Sequence, residues 1–182
     1  MKTKAALVLI AWGILMAISM DANSKEISPK KIFDICAKRY KYNRCALVVA
    51  MAFVESRYNP RAFNEKEGAR GLFQMKCAMA RASGLKYSCD QLFDPVIAVR
   101  FCTKFLQMLD TNHFEDDKLV AAYNSSKPTR CKKFMRYSWG VCYPGEWINA
   151  EHVGKVMRHL NYIRGYKLME WFEATVTFGE EK

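Results

Sequence analysis

Apolar residues recur at helical spacing along most of the chain, and this pattern predicts a mainly helical protein. The dipeptide Ser28-Pro29 is typical of a helix N-cap followed by proline in the first turn, so we expect a helix from there to about Tyr40. Periodicity, caps and breakers predict further helices over about residues 45–57, 74–83, 94–109, 116–124 and 150–170. The segment 59–71 is predicted to be a loop that accommodates a small hairpin.

The most hydrophobic internal segment is residues 46–54, ALVVAMAFV, which is apolar all round. A helix of this kind belongs in the middle of a domain, so we expect a long buried central helix that ends with Glu55. A long loop follows over 125–148, where proline and glycine interrupt the helical pattern. These features predict one compact helical domain over 28–165, with loops held by disulfides, followed by an extension over 166–182 without an assigned role.

The N-terminus has the pattern of a secretory signal peptide over residues 1–22. Lys2 and Lys4 precede an uncharged apolar run over 5–20, and polar residues follow. An uncleaved membrane anchor is the alternative, but the run is shorter than the roughly 20 residues that a spanning helix needs. We therefore expect an exported protein, periplasmic or secreted, without stable membrane insertion after signal cleavage.

The cysteine content agrees with export, since all seven cysteines follow the predicted signal. Their spacing does not fit a zinc site. Two pairs would each close a short loop, namely Cys77–Cys89 and Cys131–Cys142. Because seven is odd, one thiol stays outside intramolecular bridges, and three residues compete for a third bridge: Cys36, Cys45 and Cys102.

The composition indicates a folded, basic protein. Hydrophobic residues make up 51% and charged residues 26% of the chain, which excludes a disordered class. The formal net charge of +11 favours anionic polymers such as cell wall, anionic lipid or nucleic acid. The basic residues are scattered and no nucleic-acid-binding motif occurs, so we expect no nucleic-acid partner.

Glu55 is the leading catalytic candidate. A carboxyl at the end of a buried helix is partly desolvated, which raises its pKa and keeps a proton available for general-acid catalysis. The ordinary alternative is a helix-end glutamate that points into water. Ser56 can hydrogen-bond the carboxyl or the local backbone. Gly68 and Gly71 allow close backbone approach to a ligand.

Amide and aromatic side chains are further candidates for a sugar site. Gln74 and Asn124 each carry a donor and an acceptor beside apolar segments, which suits hydroxyl and N-acetyl groups. Tyr123 offers an aromatic face directly before Asn124.

Five motifs occur in a fixed order: Glu55-Ser56, Gly68-Ala69-x-Gly71-Leu72-Phe73-Gln74, Leu92-Phe93-Asp94-Pro95, Ala121-Ala122-Tyr123-Asn124 and Val153-x-Lys155-Val156. In this order they resemble the soluble lytic transglycosylase family, over about residues 32–162. The resemblance implies a mainly α, lysozyme-like fold, and an enzyme that cleaves the β-1,4 bond between N-acetylmuramic acid and N-acetylglucosamine in peptidoglycan. It implies a 1,6-anhydro product and no cofactor or metal.

The resemblance also implies roles for individual residues. Glu55 matches the catalytic acid and base, and Ser56 matches the residue that orients it. The expected substrate-binding residues are Ser56, Phe73, Gln74, Met75, Tyr123 and Asn124. The chain departs from the family at Ser125-Ser126, at Cys77, at His152 and in its long loop, and we expect these changes to alter loops and subsites rather than the reaction.

Other functions stay open at this point. A lysozyme-type muramidase needs a second carboxylate, for which Glu65 and Glu67 are the candidates, although solvated loop charge is their simpler interpretation. A catalytically silent peptidoglycan-binding protein is a further alternative. We expect a monomer that acts on glycan strands, and analogy with small exported family members suggests a cell-envelope secretion, pilus or conjugation machine as a partner.

Overall fold

The computed structural model describes residues 26–40, 42–86, 88–110, 113–125, 129–132, 135–137, 140–142 and 145–167. Helices dominate this part of the chain, so the mainly α fold predicted from the sequence is confirmed. The α-helices are α1 Pro29–Ala37, α2 Tyr42–Ser56, α3 Cys77–Ala82, α4 Pro95–Leu109, α5 Asp116–Ser125 and α6 Ala150–Tyr162.

Two helices begin at the predicted cap-plus-proline signals. The hydroxyl oxygen of Ser28 accepts a hydrogen bond from the backbone amide of Lys31 at the start of α1. The carboxylate of Asp94 accepts bonds from the amides of Val96 and Ile97, at 2.8 and 3.0 Å, at the start of α4. These caps satisfy amides that have no partner inside the helix.

One predicted helix start is wrong, and one predicted helix end lies outside the described part of the chain. Helix α3 begins at Cys77 rather than near Gln74, because Met75–Lys76 forms a strand. Helix α6 passes at Ile163 into a π-helical turn, Ile163–Lys167, and the predicted remainder to residue 170 lies outside the described part of the chain.

Short antiparallel strands cover the segment between α2 and α3. Their order is β1 Phe63–Asn64, β2 Ala69–Arg70 and β3 Met75–Lys76. The β1–β2 pair is the small hairpin expected within 59–71, and pairing of Arg70 with Met75 adds the third strand. A separate hairpin, β4 Met135–Tyr137 and β5 Gly140–Cys142, lies within the long loop.

Helix α2 is the centre of the core, as its all-round apolar sequence predicts. Residues 45–52 are each at most 2% exposed. Helices α1 and α6 pack on α2, and α4 packs on α1 and α5. The end of α2 therefore emerges from a fully buried body at the edge of the domain, which is where Glu55 lies.

Disulfides join neighbouring elements. Cys36–Cys45 joins α1 to α2, and the predicted Cys77–Cys89 bridge joins α3 to a 3-10 turn, Cys89–Phe93. Among the three competing cysteines, Cys102 is left as a buried free thiol. Cys131 is also disulfide-bonded. Its pairing with Cys142 stays a prediction, because the side chain of Cys142 lies outside the described part of the structure.

Within the described residues, no helix has both the length and the apolar character needed to cross a membrane. The predicted signal peptide, residues 1–22, lies outside the described residues, as does most of the predicted extension, from 168 to 182. The signal, its cleavage and the domain boundaries stay predictions.

Candidate active site

Glu55 lies in the last turn of α2, and its side chain is 15% exposed. It lines a cavity of about 300 Å³. The structure thereby brings together the catalytic candidate and three of the predicted substrate-binding residues: Glu55, Gln74, Tyr123 and Asn124. They come from α2, the turn before β3, and α5, so the cavity lies where three parts of the fold meet.

The carboxyl of Glu55 is shifted strongly toward its protonated form. Burial, and then the negative charge of Glu67, raise its pKa from 4.5 to about 8. A carboxylic acid with this pKa is mostly protonated at neutral pH. It can therefore donate a proton to a bound ligand and later take one back.

Ser56 joins the end of α2 to the glycine-containing strip that follows β2. Its hydroxyl lies 2.9 Å from the carbonyl oxygen of Leu72 and 3.1 Å from that of Ala52. Of the two roles expected for Ser56, the described hydrogen bonds are those to backbone rather than to the carboxyl. Ser56 thus fixes the distance between the helix that carries Glu55 and the strip that faces it.

Gly71 is required by packing rather than by ligand approach. Its φ is +70°, and a Cβ atom there would lie 2.0 Å from the carbonyl oxygen of Leu92 in the 3-10 turn. Gly68 has a φ of +64° but only a side-chain atom at 3.9 Å from the same position. The expectation that both glycines admit a ligand is therefore corrected for Gly71, which admits the protein's own backbone.

Phe73 and Met75 do not line the cleft as predicted. Each is 1% exposed and belongs to the hydrophobic core. The carbonyl oxygen of Phe73 instead accepts a hydrogen bond from the hydroxyl of Tyr123 at 3.0 Å. The buried thiol of Cys102 lies close enough to the Tyr123 hydroxyl to influence its pKa. These residues therefore belong to the packed wall of the cleft, where Tyr123 is only 4% exposed.

Gln74 is presented by a strained backbone. Its φ is +43°, which is uncommon for a residue other than glycine. Its amide nitrogen donates to the carbonyl oxygens of Ala62 and Gly71, at 3.2 and 3.1 Å. The side-chain oxygen is then the group that Gln74 offers to a donor on a ligand.

Asn124 is exposed at the cleft and is oriented by a residue that sequence analysis missed. Asn149, buried before α6, donates to the side-chain oxygen of Asn124 at 3.1 Å and to the carbonyl oxygen of Ala121 at 3.2 Å. Asn124 therefore keeps its amide nitrogen free to donate to a ligand. The sequence signal for Asn149 was its position as a short polar residue just before a predicted helix. An ordinary N-cap gives the same signal, so it did not point to the site.

His152 on α6 is the second residue of the site that was not among the predicted site residues, although it is one of the chain's departures from the family. Its Nε2 atom lies 3.4 Å from Oε1 of Glu55 and is buried without a hydrogen bond to any described group. Burial, and then the charge of Lys155, lower its pKa. Both groups are therefore uncharged near neutral pH, and this contact is not an ion pair. The available signal was this departure from the family.

The two candidates for a second carboxylate differ in position. Glu67 lines the same cavity as Glu55, and it forms a salt bridge of 2.9 Å with Lys76 on β3. Glu65 is exposed and does not line the described cavities. Only Glu67 is placed to influence the chemistry of Glu55.

The site is thus a largely buried carboxyl opposite amide side chains, at the edge of a helical domain. The family model described as "Transglycosylase SLT domain" matches residues 32–138, more than half of the chain. The chain belongs to this family.

Among solved structures, the chain is similar to the 70 kDa soluble lytic transglycosylase of Escherichia coli. The identity is 26% and the TM-score 0.44, over 52% of this chain and 16% of that enzyme. The chain thus spans a small part of that enzyme's length. No curated protein matches the chain.

Proposed function

We propose that this protein is a peptidoglycan lytic transglycosylase that cleaves the β-1,4 bond between N-acetylmuramic acid and N-acetylglucosamine. The observation that carries the proposal is the raised pKa of Glu55. This carboxyl lines an amide-lined cleft, and burial raises its pKa to about 8. Membership of the transglycosylase family supports the substrate class. Cleavage of this bond requires a proton on a weakly basic glycosidic oxygen, which such a carboxyl supplies.

The reaction follows from one carboxyl acting twice. Glu55 gives its proton to the glycosidic oxygen, the bond to C1 of the muramyl sugar breaks, and N-acetylglucosamine leaves with a free hydroxyl. The Glu55 carboxylate then takes the proton of the muramyl 6-hydroxyl, whose oxygen bonds to C1. Glu55 is again protonated, no water is consumed, and the product ends in a 1,6-anhydromuramyl ring.

The surroundings of Glu55 suit this cycle. Gln74 offers an acceptor and Asn124 a donor, which together match the hydroxyl and N-acetyl groups of the sugars. The imidazole of His152 contacts the carboxyl but is uncharged, so it does not stabilise the deprotonated form of Glu55. The low-dielectric setting therefore favours return of the proton to Glu55 after each turnover.

Digestion of purified peptidoglycan, followed by mass analysis of the released muropeptides, tests the proposal. We expect fragments with 1,6-anhydro ends, each lighter by one water than the corresponding hydrolysis product. Fragments with only reducing ends would overturn the transglycosylase assignment, although the same bond would have been cleaved.

Hydrolysis of the same bond by a lysozyme-type muramidase is the second candidate, and Glu67 is the observation that favours it. Glu67 lines the Glu55 cavity and raises the pKa of Glu55. A hydrolase would use this carboxylate to activate water. Glu67→Gln should then abolish reducing ends, whereas a transglycosylase retains its anhydro products in that variant.

A silent peptidoglycan-binding protein is the remaining alternative, and absence of any soluble fragment from wild-type digestion would support it.

We further propose that the protein is exported and acts without a cofactor, opening the wall locally for an envelope machine. Fractionation of the source cells, with detection of the protein in the cytoplasm alone, would contradict export.

A further inference from the structure

Helices α3 and α4 together present a basic and partly apolar surface to solvent. We call it the α3–α4 face and define it by its exposed cationic and large apolar residues Arg81, Val96, Arg100, Lys104 and Met108. None of these residues lines a cavity that the structure describes. They were not among the site candidates from the sequence, and the proposed cleavage reaction does not use them.

The residues of this face are neighbours in space. Its four members on α4 follow one another at intervals of four, which places them on one side of the helix. The side chain of Lys104 reaches the end of α3, because a Cβ atom at Gly84 would lie 2.8 Å from its Nζ atom. The amide of Gly84 donates to the carbonyl oxygen of Arg81, so Arg81 adjoins the same place.

The positive charge of the α3–α4 face is not neutralised by neighbouring carboxylates. No acidic residue occurs in α3, CAMARA, or in α4, PVIAVRFCTKFLQML. The three cations of the face form no salt bridge with any described residue. The two carboxylates that precede α4 are engaged elsewhere, since Asp94 accepts the first amides of α4 and Asp90 lies 3.5 Å from Arg70. The face therefore favours a partner that carries negative charge.

Two large apolar side chains border these cations. Val96 is 42% and Met108 46% exposed, and they are two of the five large hydrophobic residues that are exposed in the described part of the chain. They lie at the two ends of the α4 row, about 18 Å apart at a helical rise of about 1.5 Å per residue. A single-stranded nucleic acid would favour aromatic rings for stacking, and the face has none. Cations between exposed aliphatic side chains instead match a lipid surface, where anionic headgroups cover apolar chains.

The α3–α4 face lies on the side of α4 that points away from the catalytic carboxyl. Cys102, in the middle of α4, is fully buried and close enough to Glu55 for that carboxyl to influence its pKa. Cys102 is two residues from both Arg100 and Lys104, which is about 200° around an α-helix. A surface bound by these cations would therefore lie across α4 from Glu55.

We propose that the α3–α4 face docks the protein on an anionic lipid surface, with α4 parallel to the surface and the catalytic cleft turned away from it. Each cation near such a surface strengthens binding about fivefold, and burial of the two aliphatic side chains adds to it. The docking is peripheral, because within the described residues no helix has the length and apolar character to cross a membrane. This inference does not depend on the proposed cleavage reaction.

Co-sedimentation with lipid vesicles tests the proposal. The protein is used without the predicted signal, residues 1–22, because that apolar run would itself bind lipid, and the described structure begins only at residue 26. Vesicles of phosphatidylcholine alone are compared with vesicles of equal parts phosphatidylcholine and anionic phosphatidylglycerol. We expect binding to the anionic vesicles only, and we expect added salt to weaken it.

Two variants separate the contribution of charge from that of apolar contact. Arg100→Gln/Lys104→Gln removes two cations and should weaken binding to the anionic vesicles about 25-fold. Val96→Ser/Met108→Ser keeps the charge and should weaken binding about tenfold. All four side chains are exposed, so thermal melts of both variants should match that of the wild type.

The matched control is Arg61→Gln/Lys66→Gln, which removes one arginine and one lysine from exposed positions outside the face. It should change binding by less than about twofold, because charges beyond the screening length contribute little. An equal loss in the control would overturn the proposal, since net charge alone would then explain binding. Absence of binding by the wild type to anionic vesicles would also overturn it.

An acidic protein is the competing occupant of the face, and poly-glutamate is its probe. We expect the wild type to bind the anionic vesicles more tightly than poly-glutamate at equal salt, because only lipid accommodates the two aliphatic side chains. The proposal is wrong if Val96→Ser/Met108→Ser binds the vesicles as the wild type does and Arg100→Gln/Lys104→Gln loses poly-glutamate and vesicle binding equally. The face would then bind acidic polypeptide rather than lipid.

Discussion

Replacing Glu55 with glutamine separates the acid chemistry of this side chain from its burial. Glutamine has the same shape but neither donates nor accepts the transferred proton, so lysis of peptidoglycan should be abolished while binding persists. The raised pKa also makes this substitution a measurement of stability. The folded protein holds the Glu55 proton up to a pKa of about 8, whereas the ordinary pKa of a glutamate side chain is 4.5.

The sign follows from this difference. Between pH 4.5 and 8 the folded state binds more protons at Glu55 than the unfolded state does. The contribution of the protonated Glu55 to the free energy of unfolding is therefore complete below pH 4.5 and is lost as the pH rises through 8. From pH 6.5 to 8.5, the free energy of unfolding of wild type should fall by about 2 kcal/mol relative to Glu55→Gln.

Urea unfolding of both proteins across that pH range measures the effect, and taking the difference removes the groups that the two proteins share. Turbidity loss of a peptidoglycan suspension measures lysis, and sedimentation with peptidoglycan measures binding. Parallel stability curves for the two proteins would refute the raised pKa of Glu55. Lysis by the variant at the wild-type rate would refute its catalytic role.

Four further variants probe the scaffold around the cleft. Gly71→Ala should cost more than about 2 kcal/mol, because Cβ meets a backbone carbonyl, whereas Gly68→Ala should cost only about 1 kcal/mol; equal losses in chemical denaturation would contradict this account. His152→Ala admits water to the catalytic carboxyl and should lower its pKa, shifting the alkaline limb of the pH–activity profile to lower pH; an unmoved limb counts against the contact. Cys36→Ser/Cys45→Ser opens a bridge of sequence separation 9 and should lower stability by about 2–3 kcal/mol; reduction of the wild type also opens the other bridges, so a smaller loss on reduction than in the variant would contradict this account.

The features that local sequence determines were predictable. The buried centre of α2 follows from its uninterrupted apolar run, and the starts of α1 and α4 follow from their cap-plus-proline signals. The position of Glu55 at the end of that buried helix was predictable for the same reason. Each depends on residues that are neighbours along the chain.

The features that depend on distant contacts were not predictable. Phe73 and Met75 read as part of an exposed strip, but pairing of β2 with β3 and packing on the core bury both side chains. From the sequence Gly71 was expected to allow close approach of a ligand, but in the structure it is the backbone of Leu92 that lies against it. His152 lies 97 residues after Glu55 (152 − 55), and only the packing of α6 on α2 brings them together.

The free thiol of Cys102 gives this fold a built-in reporter. It is fully buried, and it lies close enough to Tyr123 and Glu55 for both to influence its pKa. A thiol reagent can reach it only when that part of the core opens, so the rate of modification counts opening events under the cleft. A glycan bound in the cleft should suppress these openings and slow the labelling of Cys102. The labelling rate therefore reports ligand occupancy, although cleavage of the glycan itself has no chromophore.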